Sequence, residues 1–131
     1  MRRILLAGLA ILLAGPAGAA EPDLAPDLIN GRLLFARCSI CHALTAEKSK
    51  GKKGPMLAGL FGRKAGSLKG YAYSPAMRAK GLVWTETTLD AYLKKPAAYV
   101  PGTKMIYGGL RRRSDRVDLI AYLKKALQSG R

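Results

Sequence analysis

The two cysteines and the single histidine of this chain fall within five consecutive residues, Cys38-Ser39-Ile40-Cys41-His42. No other feature narrows the possible folds as much. On a helix, a spacing of three residues brings both sulfurs to one face, and His42 follows directly. The C-x-x-C-H run is the attachment signature of a c-type haem. Each thiolate can add across a vinyl group to give a thioether, and the adjacent imidazole can ligate the iron from the same side. Other uses of a C-x-x-C pair lack their context. A thioredoxin-like dithiol wants a surrounding βαβ pattern. A structural zinc site wants a fourth ligand and a second knuckle, and every Cys and His of the chain is already in the run. A plain disulfide needs no neighbouring His.

A chain built on this group must reach a suitable compartment, supply a second axial ligand and bury most of the macrocycle. With 131 residues it has the length of one domain. Residues 1–20 read as a secretory signal peptide: Arg2 and Arg3 form the positive start, Ile4 to Ala14 an uncharged apolar run, and Ala17-Gly18-Ala19-Ala20 a small-residue cleavage region after Pro16. The run is shorter than the ~20 residues of a spanning helix, so cleavage is the expectation and an uncleaved anchor the alternative. Residues 21–131 are then the haem domain, in the periplasm. The formal charge is +15, from 23 Lys and Arg against 8 Asp and Glu, and loss of Arg2 and Arg3 leaves +13. Export removes nucleic acid as the reason for this excess. An acidic partner surface, or transient contact with an anionic membrane, remains.

The periodicity predicts an all-α fold with much loop. Leu28, Gly31, Phe35 and Cys38 make one apolar helical face that ends on the attachment run. Gly31 costs about 1 kcal/mol of helix propensity relative to Ala, which suits a site where another helix crosses closely. Residues 43–80 are expected to be loop, punctuated by glycines and by Pro55 and Pro75, with Leu57, Leu60, Phe61, Tyr71 and Tyr73 available to line a cofactor pocket. A short helix is expected from Glu86 to about Lys95, capped by Thr85 and stopped by Pro96. The last helix is expected from about Asp115 to Leu127, with Ser114 as its cap and Gly130 beyond its end.

The second axial ligand must be Met, Lys or nothing. Met56 follows His42 too closely to reach the opposite side, whereas Met77 and Met105 are far enough along the chain. Met105 sits in the Pro101-Gly102-Thr103-Lys104-Met105 loop, which could hold a thioether at one point. His/Met ligation raises the potential and leaves no open position on the iron, the condition of a carrier rather than of an oxygen-handling enzyme.

The ordered motifs Gly31-x-x-x-Phe35, Cys38 to His42, Gly54-Pro55-x-Leu57, Gly59-Leu60-Phe61-Gly62-Arg63, Gly70-Tyr71-Ala72-Tyr73, Trp84, Tyr92-Leu93, Tyr99 to Met105 and Asp118 to Leu123 resemble class I cytochrome c. They are closest to the mitochondrial-type proteins and their soluble bacterial periplasmic relatives. The resemblance implies crossing N- and C-terminal helices, a short middle helix and long loops wrapped around one covalent haem c. It implies thioethers at Cys38 and Cys41 and axial ligation by His42 and Met105. The Pro55 carbonyl is then the partner of the other His42 nitrogen; Arg63, Tyr73 and Trp84 hold the propionates; Tyr92 and Thr103 belong to the network beside the Met. Gly31 and Phe35 pack on Leu119 and Tyr122, and Tyr107 covers the exposed haem edge. Met77 stands where mitochondrial relatives carry a polar Asn.

The function implied is a monomeric electron carrier, not an enzyme. Lys50, Lys52, Lys53, Lys94, Lys95, Lys104 and Arg111 to Arg113 are candidates for a basic ring that meets acidic redox partners. The family's usual partners are a quinol-oxidising complex and a terminal oxidase; a photosynthetic reaction centre or a periplasmic dehydrogenase would fit equally. The rival readings are a peroxidase or gas-binding protein with a displaceable Met, which lacks a distal acid–base group, and a membrane-anchored cytochrome subunit.

Overall fold

The computed structural model describes residues 24–129, so the predicted signal peptide and Gly130 lie outside the described residues. Five helices follow in order: α1 (Leu28–Cys38), α2 (Pro75–Ala79), α3 (Glu86–Lys94), α4 (Pro96–Tyr99) and α5 (Arg113–Gln128). Among the described residues there is no strand, only an isolated antiparallel bridge between Lys64 and Val83.

Helices α1 and α5 cross, and Gly31 marks the crossing. A β-carbon built there would lie 2.2 Å from the Asp118 carbonyl oxygen and 2.7 Å from Tyr122 Cβ. The predicted close approach is therefore real, although its immediate neighbours are Asp118 and Tyr122. One turn on, the Phe35 and Tyr122 rings meet with centroids 5.7 Å apart, and Leu119 is buried in the same cluster. The Asp27 side chain caps α1 by accepting from the Ile29 and Asn30 amides. The carboxylate of buried Asp118 reaches across to the same end: Oδ1 accepts from the Asp27 amide and Oδ2 from Asn30 Nδ2, each at 2.8 Å. These two bonds fix how far α1 can slide along α5.

A second buried charge ties α5 to the middle of the chain. Arg116 Nε donates to Asp90 Oδ1 of α3 at 2.8 Å, and its Nη1 donates to the Leu110 and Arg111 carbonyl oxygens, each at 2.9 Å. A planar fork that saturates one carboxylate and two carbonyls is a task for Arg, not Lys.

Three local expectations need correction. Residues 43–80 are not all loop: Ser74 accepts from the Met77 amide and Pro75 opens the single turn of α2. Pro96 ends α3 as expected but also begins α4, because a first-turn proline loses no helical hydrogen bond. The last helix starts earlier, at Arg113 behind Arg112, so Ser114 lies inside it and caps nothing. Thr85 does cap α3, in a reciprocal pair with Thr88.

Candidate haem-attachment site

The attachment run sits at the end of α1, where the Cys41 and His42 amides both donate to the Cys38 carbonyl, at 3.1 and 2.8 Å. The following loop is stitched back on it, through Gly54 N–H to the Cys41 carbonyl and Leu57 N–H to the Ala43 carbonyl, each at 2.8 Å. This brings Pro55 to His42. The Nδ1 atom lies 2.7 Å from the Pro55 carbonyl oxygen. A carbonyl only accepts, so Nδ1 carries the proton and donates, which leaves Nε2 as the lone-pair nitrogen. Gly54 makes the approach possible, since a β-carbon there would sit 2.6 Å from His42 Cε1. Burial lowers the His42 pKa and so favours the neutral, ligating ring, outweighing the Pro55 hydrogen bond that acts the other way. Burial likewise raises the Cys38 thiol, against the smaller pull of Arg37.

His42 and Cys38 open onto a cavity lined mainly by apolar and aromatic side chains with a few polar groups, the character of a cofactor cleft. Its walls come from every helix but α4. Phe35, Leu119 and Leu123 line it from the crossing helices, Leu57, Leu60 and Trp84 from the segments before α3, and Met77, Tyr92, Leu93 and Met105 from α2, α3 and the loop after α4. The 59–66 turn is pinned beside Trp84 by the Gly62, Trp84 and Ala65 amides, at 2.8 to 2.9 Å from their acceptors. That pairing places Arg63 in the wall, its guanidinium held on the Ala58 and Met56 carbonyl oxygens at 2.7 and 3.1 Å. Tyr73 lies nearby, its hydroxyl pKa raised by burial and pulled back by Arg63. The Trp84 indole N–H finds no protein acceptor among the described residues, yet no buried polar side-chain atom is orphaned there, so it faces open space. Arg63, Tyr73 and Trp84 thus all line the cavity.

Met105 carries the best-organised thioether in this wall. Tyr92 Oη donates to Met105 Sδ at 3.3 Å, and Thr103 Oγ1 lies 3.0 Å from Tyr92 Oη and accepts from the Met105 amide at 3.3 Å. Burial raises the Tyr92 pKa, against the Thr103 hydrogen bond, and keeps the phenol a donor. Because its proton points to sulfur, the Thr103 hydroxyl must supply the one between the two oxygens. Lys104 Nζ donates to the Ala72 carbonyl at 2.7 Å and ties this loop to the opposite one. Met77 lines the same cavity from α2 and is buried, but no hydrogen bond reaches its sulfur among the described residues. Replacing Tyr92 by Phe removes the donor to Met105 Sδ while keeping the ring. We expect a lower midpoint potential by redox titration with the axial-ligand spectrum unchanged.

The mouth of the cavity is lined by Arg37, Lys53, Tyr71, Lys104, Ile106 and Tyr107 beside the cysteines. Tyr107 lies among these residues, close to Cys38 and Cys41. Lys50 and Lys52 are exposed on the same loop as Lys53, with Lys52 donating to the Ser39 carbonyl. Lys94, Lys95 and Arg111 to Arg113 are exposed too, but they flank the α3–α5 junction and do not line the mouth. Sequence reasoning missed Arg37, whose position one residue before Cys38 was the available signal. It also missed Arg116 and Asp118.

A helical shell with two cysteines, a pre-oriented imidazole and a held thioether around an apolar cavity defines a c-type haem protein. The family model described as Cytochrome c matches residues 28–126, and the chain belongs to this family. It is 53% identical over 100 residues to a cytochrome c of Gibberella zeae, covering 75% of this chain and 92% of the relative. It is 42% identical over 128 residues to a cytochrome c2 of Blastochloris viridis, covering 98% and 97%. A cytochrome c-550 of Nitrobacter winogradskyi is 43% identical over 105 residues, covering 80% and 95%. Like its relatives, the protein is a monohaem electron carrier with covalently attached haem c, and not an enzyme.

Proposed function

We propose that the protein is an exported, soluble, monomeric shuttle. Cys38 and Cys41 hold the haem, His42 and Met105 are its axial ligands, and single electrons pass through the mouth beside Tyr107. The bound group supplies one-electron Fe(III)/Fe(II) exchange. This chain's residues do the rest. Pro55 and Gly54 orient the imidazole, Tyr92 and Thr103 hold the thioether, and the apolar wall excludes water. Arg63, Tyr73 and Trp84 offer donors to the propionates. The observation that carries the reading is that one cavity is lined both by a histidine with Nε2 free and by a thioether already anchored at sulfur and amide. Among the described residues no carboxylate, and no histidine besides His42, lines the cavity, so the peroxidase alternative has no carboxylate or second imidazole to act as its distal acid–base group.

Export is supported by the alignment with cytochrome c2, which covers 98% of the chain and so extends into the N-terminal apolar run. On this reading residues 1–20 are a cleaved signal, residues 21–131 the working domain, and the periplasm its location. The partners are acidic faces of redox proteins: a quinol-oxidising complex, a terminal oxidase, a reaction centre or a periplasmic dehydrogenase. Lys53, Lys104 and Arg37 at the mouth are the steering charges, with Lys50 and Lys52 on the same loop. Stopped-flow electron transfer with such a partner should slow by about 10 to 10³-fold as salt rises from low to high concentration. Rates that ignore salt would contradict charge-steered docking. Tight carbon monoxide binding by the reduced native protein would contradict a filled axial position.

A further inference from the structure

Helix α2 is a single turn whose backbone approaches none of the other four helices. What it meets instead is loop. It meets the Gly66 turn through Arg78, since a β-carbon on Gly66 would lie 2.8 Å from Arg78 Cα. It meets the segment leading to Met105 through Ala76, whose Cβ would lie 3.2 Å from a β-carbon built on Gly102. That segment is also tied down at both ends of α2. Before the helix, the Ala72 carbonyl accepts from Lys104 Nζ at 2.7 Å. After it, exposed Lys80, the residue that closes α2, holds its Nζ 4.7 Å from the centre of the Tyr99 ring. Lys80 lines neither the haem cavity nor its mouth, so a contact with the bound group does not explain this placement.

Tyr99 is placed to pass the hold on. It is the last residue of α4 and directly precedes buried Val100, where the Met105 loop begins. Its ring meets that of Tyr92 edge-on, with centroids 6.4 Å apart. The Tyr92 hydroxyl in turn donates to Met105 Sδ. We propose that Lys80 is a positioning residue for Met105: its ammonium, seated over the Tyr99 ring, keeps the 99–105 segment closed and the thioether in place. This inference rests on Met105 as the axial ligand. A cation over an aromatic face is attracted by the ring quadrupole, and at an exposed site the attraction changes an opening equilibrium by about two- to fivefold. The opening concerned is local, with the segment lifting while the crossing helices stay packed. Such a clamp serves a carrier, because a thioether that stays in place keeps the ligand set the same in both oxidation states.

The test uses ferric, haem-loaded protein and added imidazole, which reaches the iron only when the thioether leaves it. The sulfur-to-iron charge-transfer band reports the exchange. Lys80→Gln removes the ammonium and should tighten imidazole binding about two- to fivefold. Lys80→Arg keeps a cation over the ring and should bind imidazole as wild type does. Lys69→Gln, at an exposed lysine on another turn, removes the same charge and should change nothing. In a Tyr99→Leu background the effect of Lys80→Gln should vanish, because the ring on which the ammonium acts is gone. Equal imidazole affinity in Lys80→Gln and wild type overturns the proposal. So does an equal gain in Lys69→Gln, which would make the effect one of net charge, and so does a Lys80→Arg variant as loose as Lys80→Gln. Failure of the axial reading itself shows separately, as a band missing from wild type or retained in Met105→Ala.

Discussion

Replacing Gly31 by Ala should cost the protein about 3 kcal/mol or more of stability, a large part of the 5–15 kcal/mol that holds a small domain together. The new methyl would lie 2.2 Å from a backbone carbonyl of α5. Neither helix can yield alone, because the Asp118 carboxylate fastens α5 to the Asp27 amide and Asn30. Separating the helices would open the contacts of Phe35, Leu119 and Tyr122, the first two of which line the cavity. The better helix propensity of Ala returns only about 1 kcal/mol. Chemical denaturation followed by far-ultraviolet circular dichroism should give a markedly lower midpoint. A midpoint equal to wild type would mean that the crossing is looser than this geometry requires.

The second large effect is expected at Arg116. Truncation to Ala should destabilise by about 2–4 kcal/mol, since it leaves the Asp90 carboxylate and two carbonyls without their donor. The Arg side chain is almost fully buried while that of Asp90 is about a third exposed, so the carboxylate can recover some hydration and the lower part of this range applies. Arg116→Lys should recover little, because one ammonium cannot serve both the α3 carboxylate and the 110–111 turn. That turn leads from the Met105 loop into α5, so thermal unfolding should be preceded by loosening around Met105. Thermal melts of both variants, read by circular dichroism and by the haem spectrum, measure this. A lysine variant as stable as wild type would reduce the network to a simple ion pair.

Local signals made much of this molecule legible in its sequence. The attachment run is a covalent requirement written in five residues, and Gly31 was conspicuous because a helix interior tolerates Gly only for a reason. Thr85 stood directly before a periodic segment and does cap α3. The misses share a different cause. Arg116 and Asp118 lie on a basic, well-solvated-looking helix, and their burial depends on partners 26 and 91 residues away in sequence. No periodicity reports such pairs. The α2 turn escaped because five residues carry no repeat, although Ser74-Pro75 is a cap followed by a first-turn proline. Ser114 was misread as a cap because Arg112, two residues earlier and in extended backbone, holds the cap position with no side-chain bond. In the site, the sequence could name Met77 and Met105 as rivals without ranking them by geometry. Its loop and the family resemblance already favoured Met105, and the structure adds Tyr92 and Thr103, whose hydrogen bonds converge on it.

The central claim is the His42/Met105 axis on a haem joined to Cys38 and Cys41. Its most direct measurement is the visible spectrum of the oxidised exported protein, wild type beside Met105→Ala and Met77→Ala. We expect covalent haem in all three, with the sulfur-to-iron charge-transfer band present in wild type and Met77→Ala and absent from Met105→Ala. A band that survives in Met105→Ala and disappears in Met77→Ala would contradict the account and move the ligand to α2.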